Sequence, residues 1–109
     1  MSITINDLPK SARKALEDNG SRLLLIEAPK GMPCPRCTFA TKRMTSKGLG
    51  FGSVHSDDEL REWTATRLDI RTAPLTLVFD ETGVLTDQWT GVVDSKIEEL
   101  AKSHISVAA

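Results

Sequence analysis

A continuous apolar run, RLLLIEA at residues 22 to 28, lies just before the segment GMPCPRC at residues 31 to 37. An apolar run of strand length without polar alternation is typical of a strand that is covered on both faces of its sheet. A strand of that kind needs helices on both sides, so it restricts the chain to architectures in which helices and strands pack in layers.

The other signals along the chain also alternate between helix and strand. The first helix is predicted over residues 7 to 19, with Asp7 as its N-cap, Pro9 near its first turn and Gly20 just past its end. The remaining predicted helices span residues 35 to 46, residues from Ser56 or Asp57 to about 68, and a C-terminal stretch that starts at Asp94 or Ser95, in which Ile97, Leu100, Ala101 and His104 share one side.

Three further strands are predicted after the apolar run. They span residues 50 to 55, 75 to 80 and 84 to 89, and Glu81-Thr82-Gly83 joins the last two in a hairpin. The order is therefore α-β-α-β-α-β-β-α. This order predicts an α/β fold with a mixed four-stranded sheet flanked by helices, preceded by an additional N-terminal helix.

Length and charge exclude several classes of function. A chain of 109 residues predicts a single domain over residues 1–109. Its net charge of −1, from 14 basic and 15 acidic residues, argues against binding to nucleic acid or to anionic membranes. The N-terminus lacks the pattern of a secretory signal, and the longest aliphatic run, 23 to 26, is too short to span a bilayer. We therefore expect a cytoplasmic protein, and nothing demands more than a monomer.

Cys34 and Cys37 are the only cysteines, and they stand where the second helix is predicted to begin. Pro35 suits the first turn because its missing N–H needs no partner there. Unpaired backbone N–H groups and the helix dipole at such a position favour a thiolate, and can lower a cysteine pKa to roughly 3.5–7.5. Cys37, one turn later, can reach the sulfur of Cys34. The spacing therefore predicts a redox pair, with Lys30 and Arg36 as flanking cations.

Two other interpretations of the cysteines are weaker. A zinc site needs about four ligands, and the chain adds only His55 and His104, which are spaced unlike a zinc finger and are interpreted as structural or exposed. A permanent disulfide is disfavoured by a reducing compartment, and across so small a loop it would remove little chain entropy. A C-x-x-C pair after a strand in an α/β chain is the expected context of a redox motif.

Three segments together resemble the thioredoxin-fold redoxins, and within them the glutaredoxins and glutaredoxin-like NrdH-redoxins. These segments are GMPCPRC, TAP at residues 72 to 74, and WTGVVDSKIEEL at residues 89 to 100. The resemblance covers residues 22 to 104 and implies a thioredoxin-like fold without a metal or an organic cofactor. It also implies that the bond before Pro74 is cis and that Ala73 offers its backbone to an extended substrate.

The resemblance implies a function and a binding surface. Cys34 would attack the disulfide of a protein substrate and Cys37 would resolve the mixed disulfide. The implied substrate-binding residues are Lys30, Pro33, Pro35, Arg36, Thr72, Ala73, Pro74, Trp89, Gly91 and Asp94.

The electron donor is open between two subfamilies. WTG resembles the W-S-G segment of NrdH-redoxins, which implies thioredoxin reductase as reductant and ribonucleotide reductase as target. Lys30 and Asp94 resemble residues that hold glutathione in glutaredoxins, although Thr90 replaces a glycine and Arg36 an aromatic residue.

Three further interpretations concern Glu27 and the role of the whole chain. Glu27 resembles a buried proton-relaying acid of thioredoxins, but its place at a strand end favours a residue that reaches water. Two alternative functions are a non-catalytic binding module on a redoxin fold and a scaffold for an iron–sulfur cluster. The thiol–disulfide oxidoreductase is the preferred prediction.

Overall fold

The structure, a computed structural model, describes residues 2–108, with side chains described up to residue 102. Its elements alternate in the predicted order. They are α1 (Lys10–Asn19), β1 (Leu23–Glu27), α2 (Pro35–Ser46), β2 (Gly52–His55), α3 (Asp58–Leu68), β3 (Leu75–Phe79), β4 (Leu85–Thr90) and α4 (Asp94–Ala108).

The strands form one mixed sheet of four, in the order β2-β1-β3-β4. β1 lies parallel to β2 and antiparallel to β3, and β4 pairs with β3 in an antiparallel hairpin. Residues 23 to 26 of β1 are all buried, which confirms the prediction that both faces of this strand are covered. Because β1 is an inner strand, the chain leaving it at Glu27 emerges in the middle of one sheet edge.

Helices cover the two faces of the sheet with separate apolar layers. Successive residues of a strand point to opposite faces, so Leu24 and Ile26 enter one layer while Leu23 and Leu25 enter the other. The first layer is completed by Ala12 and Leu16 of α1, by Leu60 of α3, by Leu8 from the segment before α1, and by Leu75, Leu77 and Phe79 of β3. The second is completed by α2 and α4 through Ala40, Met44, Ile97 and Ala101, with Leu49 and Trp89.

The predicted start of the first helix is wrong. The Asp7 carboxylate accepts the N–H of Thr4 at 2.8 Å and closes a separate 3-10 helix, Ile5–Asp7. Leu8 is extended, with φ −68° and ψ 147°, because the residue before a proline disfavours the helical region. α1 therefore begins at Lys10, directly after Pro9, rather than at Asp7.

Two other element ends, the start of α3 and the end of β3, can be compared with the sequence patterns. Asp57 caps α3, and its carboxylate accepts the Leu60 N–H at 2.8 Å, as predicted. β3 ends one residue earlier than expected because the Asp80 carboxylate turns back to accept from Thr82 and Val84. These bonds, above all that from the Thr82 hydroxyl, hold the pKa of Asp80 below its ordinary value.

The last helix begins at Asp94, as predicted, and buries Ile97 and Ala101 on the expected side, with Leu100 packed against them. The side chain of His104 lies outside the described residues. Over residues 2–108, no helix has both the length and the apolar character that a membrane span requires.

Candidate functional site

The two cysteines are joined in a disulfide at the start of α2. Cys34 is the N-cap residue and Pro35 occupies the first turn. The Cα atoms lie 5.3 Å apart. Cys37 is 2% exposed and belongs to the core, whereas Cys34 is partly exposed. A reactant arriving from solvent therefore meets the sulfur of Cys34 first.

Backbone N–H groups point at both sulfurs. Cys37 donates its N–H to the Sγ of Cys34 at 3.2 Å, and Ala28, directly after β1, donates its N–H to the Sγ of Cys37 at 3.4 Å. Donors at a helix N-terminus favour negative charge on the group they face. The arrangement is therefore suited to hold a thiolate on Cys34 once the disulfide is opened.

A groove of about 720 Å³ opens beside Cys34 on the side of α3. Its walls include Thr72 and Ala73 from the loop before β3 and Met32 from the loop before α2. The Ala73–Pro74 peptide bond is cis, as predicted. The groove thus brings Cys34, the more exposed cysteine, and Ala73 to one open surface.

A second groove, of about 570 Å³, lies beside Pro35 and Arg36, the two residues that directly follow Cys34. It runs between the start of α2 and the turn after β4, where Gly91 adopts φ 71°, a region that favours glycine. The Gly91 N–H donates to the Pro74 carbonyl at 2.8 Å, which ties this turn to the loop of the first groove. The second groove is lined by Pro35, Arg36, Phe39, Thr90, Gly91 and Val92.

Most of the predicted substrate-binding residues border one of these grooves. Pro33, Thr72 and Ala73 line the first, with Pro74 buried behind them, and Pro35, Arg36 and Gly91 line the second. Lys30 is exposed in the loop before α2 but lines neither groove. Their roles in binding stay predictions.

Trp89 and Asp94 lie in surroundings that the motifs did not indicate. Trp89 is 8% exposed and packs in the second layer, so its side chain contributes to the core. The Asp94 carboxylate accepts bonds from Nε and a terminal nitrogen of Arg43, both at 3.0 Å. For both residues, binding of a substrate remains a prediction.

The sequence patterns did not indicate two exposed apolar residues of the site. Met32 and Phe39 are 59% and 53% exposed and each lines a groove. Helical spacing contained the signal for Phe39, because the buried face of α2 runs through Cys37, Ala40 and Met44 and leaves position 39 outside it.

His55 bonds to the backbone of the site. Its Nδ1 lies 3.0 Å from the Ala28 carbonyl oxygen, and since a carbonyl only accepts, Nδ1 carries the hydrogen. His55 is thus an exposed residue with a structural bond, as predicted. Glu27, opposite His55 in the β1–β2 register, is half-buried at the strand end. Among the described side chains, no three candidate ligands gather to hold a metal ion.

Comparison with known proteins identifies the fold. No family model matches the sequence, and no curated protein matches it. Among solved structures, the chain is similar to a thioredoxin pre-protein of Schistosoma mansoni, with a TM-score of 0.53 and 18% identity over 88% of this chain and 91% of that one. It is also similar to thioredoxin f from spinach chloroplast, with a TM-score of 0.56 and 16% identity over 88% of each chain. The thioredoxin-like fold is confirmed, while the resemblance to glutaredoxins and NrdH-redoxins remains one of motifs.

Proposed function

We propose that the protein is a dithiol–disulfide oxidoreductase that reduces disulfides of protein substrates. The observation that carries the proposal is the unequal pair at the start of α2: Cys34 borders an open groove with a backbone donor on its sulfur, and Cys37 is buried behind it. In that arrangement only one sulfur is offered to a substrate. The second is held within reach for an intramolecular reaction.

The reaction begins with the reduced protein. The Cys34 thiolate attacks one sulfur of the substrate disulfide, forms a mixed disulfide and expels the other substrate sulfur as a thiolate, which takes up a proton. The Cys37 thiol then loses its proton and attacks the Sγ of Cys34. This closes the Cys34–Cys37 disulfide and releases the second substrate thiol. Two electrons pass from the protein to the substrate, and a separate reductant must return them.

The Ala28 N–H supports the second step. It faces the Sγ of Cys37 at 3.4 Å, so it is placed to stabilise the thiolate that forms there. Ala73 supports the first step, because it lines the groove beside Cys34 and its backbone is the expected partner of a substrate. An extended substrate segment lying in this groove can bond to that backbone as an added strand does.

We propose further that the reductant is thioredoxin reductase and that ribonucleotide reductase is a target, as the WTG segment implies. The engagement of Asp94 by Arg43 favours this choice over glutathione, because the carboxylate that would hold a γ-glutamyl ammonium group already has a cationic partner. Arg36 also favours thioredoxin reductase over glutathione as the reductant, because glutaredoxins commonly have an aromatic residue at this position.

Reduction of insulin by dithiothreitol tests the oxidoreductase. The wild-type chain should accelerate aggregation of the insulin chains, and Cys34→Ser should lower the rate to that of dithiothreitol alone. Equal rates for the wild type and Cys34→Ser would support a binding module instead.

A coupled assay tests the reductant. The oxidised protein is offered NADPH with thioredoxin reductase, or NADPH with glutathione and glutathione reductase. We expect NADPH oxidation in the first mixture. Turnover only in the second would replace the proposed subtype with a glutathione-dependent one.

A further inference from the structure

The outward face of α2 combines charge and apolar surface next to the disulfide. Arg36, Phe39 and Lys42 follow one another at three-residue spacing and are all exposed; we call these three residues the α2 face. Side chains three apart are neighbours on a helix surface. The α2 face therefore presents an aromatic ring between two cations, beginning two residues after Cys34.

Exposure of Phe39 is unusual within this molecule. Among the described residues, Met32 and Phe39 are the large apolar side chains that remain exposed. Phe39 lines the second groove together with Pro35, Gly91 and Val92. Since exposed aromatic and arginine side chains are enriched where proteins bind partners, the position beside the disulfide points to an interaction surface.

The charges of this region have one sign. Residues 35 to 47 include Arg36, Lys42, Arg43 and Lys47 and no acidic residue, in a chain whose net charge is −1. Arg43 and Lys47 pair with Asp94 and Glu98 of α4. Within the described part of the chain, no ion pair involves Arg36 or Lys42. Their charges are therefore available to a partner.

The groove beside α3 offers a contrast. Its arginines face carboxylates of the same region, Arg61 with Asp58 at 2.7 Å and Arg71 with Asp69 at 2.9 Å. Its rim is thus balanced in charge. The two grooves therefore differ in charge, because the second adjoins Arg36 and Lys42 with no carboxylate paired to either among the described residues.

We propose that the α2 face and the second groove dock an acidic segment of a protein redox partner, with an apolar side chain of that segment packed against Phe39. The inference rests on the proposed function for the kind of partner, since a segment held here would contact Pro35 and Arg36, which directly follow Cys34. Opposite charge at such a surface raises association rate and selects partners. Salt screens the charges and therefore weakens this attraction.

Peptide binding to the oxidised wild-type protein tests the docking surface. Two cysteine-free peptides are compared. The acidic peptide contains one phenylalanine flanked by glutamates, and the basic control peptide has lysines instead of the glutamates. Amide chemical shifts in a nuclear magnetic resonance titration should move at residues 36 to 42 and 90 to 92 with the acidic peptide. We expect the acidic peptide to bind about tenfold more tightly than the basic peptide at low salt, and this preference should decline as salt is added.

Substitutions assign the effect to the α2 face. Lys42→Glu should abolish the preference for the acidic peptide, and Phe39→Ser should weaken binding of both peptides. Lys10→Glu is the matched control, because Lys10 is an exposed lysine on α1, which packs in the other layer. Equal affinity for the two peptides, or the same loss from Lys10→Glu as from Lys42→Glu, would overturn the proposal.

The titration is independent of thiol chemistry. A protein that binds the acidic peptide but does not reduce insulin would contradict the proposed function and support the docking surface. One that reduces insulin and binds both peptides equally would contradict the docking surface alone.

Discussion

At the scale of residues, one disulfide joins two sulfurs with different surroundings. Cys34 caps a helix beside a groove, and Cys37 lies in the core against the Ala28 N–H. The difference in access supports the proposal that Cys34 attacks the substrate and Cys37 resolves the intermediate.

This difference predicts opposite results for the two single cysteine variants. Reduced Cys37→Ser should accumulate a stable mixed disulfide with a substrate through Cys34, because the resolving sulfur is missing. Reduced Cys34→Ser should form little adduct in the same time, since Cys37 is shielded. Mass spectrometry of each variant after exposure to an aromatic disulfide reagent measures the adduct, and equal labelling would contradict the assignment.

His55 contributes to the same site through the backbone. Its bond to the Ala28 carbonyl joins the end of β2 to the residue that faces the Sγ of Cys37. We expect His55→Val to lower the free energy of unfolding by about 0.5–1.5 kcal/mol, whereas Ser53→Val, at an exposed position of the same strand, should not. Urea denaturation of both variants provides the comparison.

At the scale of elements, α1 and β2 approach unusually closely. A Cβ at Gly52 would lie 2.5 Å from the Ala15 carbonyl oxygen of α1, whereas one at Gly50 would meet nothing within 4 Å. The glycine therefore permits the helix to lie directly on an edge strand.

Because of this contact, we expect an added methyl group to lower the free energy of unfolding at Gly52 and not at Gly50. Gly52→Ala should destabilise the protein by about 1–3 kcal/mol, because backbone atoms of α1 must move to avoid overlap. Gly50→Ala is the control and should be nearly neutral. Unfolding midpoints in urea decide between them, and equal midpoints for the two variants would contradict the close approach.

α4 is connected to its neighbours by ion pairs. Lys96 contacts Asp87 of β4 at 2.8 Å, and Arg43 and Lys47 of α2 contact Asp94 and Glu98. The hydrogen bond from Lys96 lowers the pKa of Asp87 below 3.8, and the bond to Asp87 raises the pKa of Lys96 above 10.5.

These shifts predict a pH window for the pair. A lowered acid pKa contributes stability above pH 3.8 that is lost as the pH falls through the folded value, and a raised lysine pKa contributes stability that is lost as the pH rises above 10.5. Asp87→Asn should therefore be slightly less stable than the wild type at neutral pH. The difference should disappear in strong acid.

Urea midpoints across pH measure this difference. Lys96→Gln added to Asp87→Asn should cost little more than Asp87→Asn alone, because the partner is already gone. A difference that persists unchanged far below pH 3.8 would exclude the ion pair as its cause.

At the scale of the whole molecule, one sheet carries two apolar layers. Leu77 points into the first layer and Leu25 into the second, and both are fully buried. The radius of gyration is 13.0 Å, about the value of a compact chain of roughly 100 residues. Shared strands should couple the layers in unfolding.

The coupling predicts one cooperative transition. Leu25→Ala and Leu77→Ala should each cost about 2–5 kcal/mol and move the whole curve. Tryptophan fluorescence and circular dichroism should give the same midpoint in every variant. Separate midpoints would contradict the predicted single domain.

Much of the architecture could be predicted because it follows from local patterns. The apolar run of β1, the proline after Cys34 and the Asp57 cap are signals contained in neighbouring residues. The prediction of where the first helix starts was wrong for a local reason too, because Leu8, the residue before Pro9, is extended and separates Asp7 from α1.

The sequence by itself determined the order of elements, the inner strand and the cysteine pair at a helix start, since periodicity and steric preferences act between residues close in the chain. Only the tertiary structure decided which sulfur is exposed, that Trp89 packs in the core, and that Arg43 holds Asp94 across 51 positions. Such contacts depend on how the helices pack on the sheet, and no local sequence pattern indicates which residues far apart in the chain will be in contact.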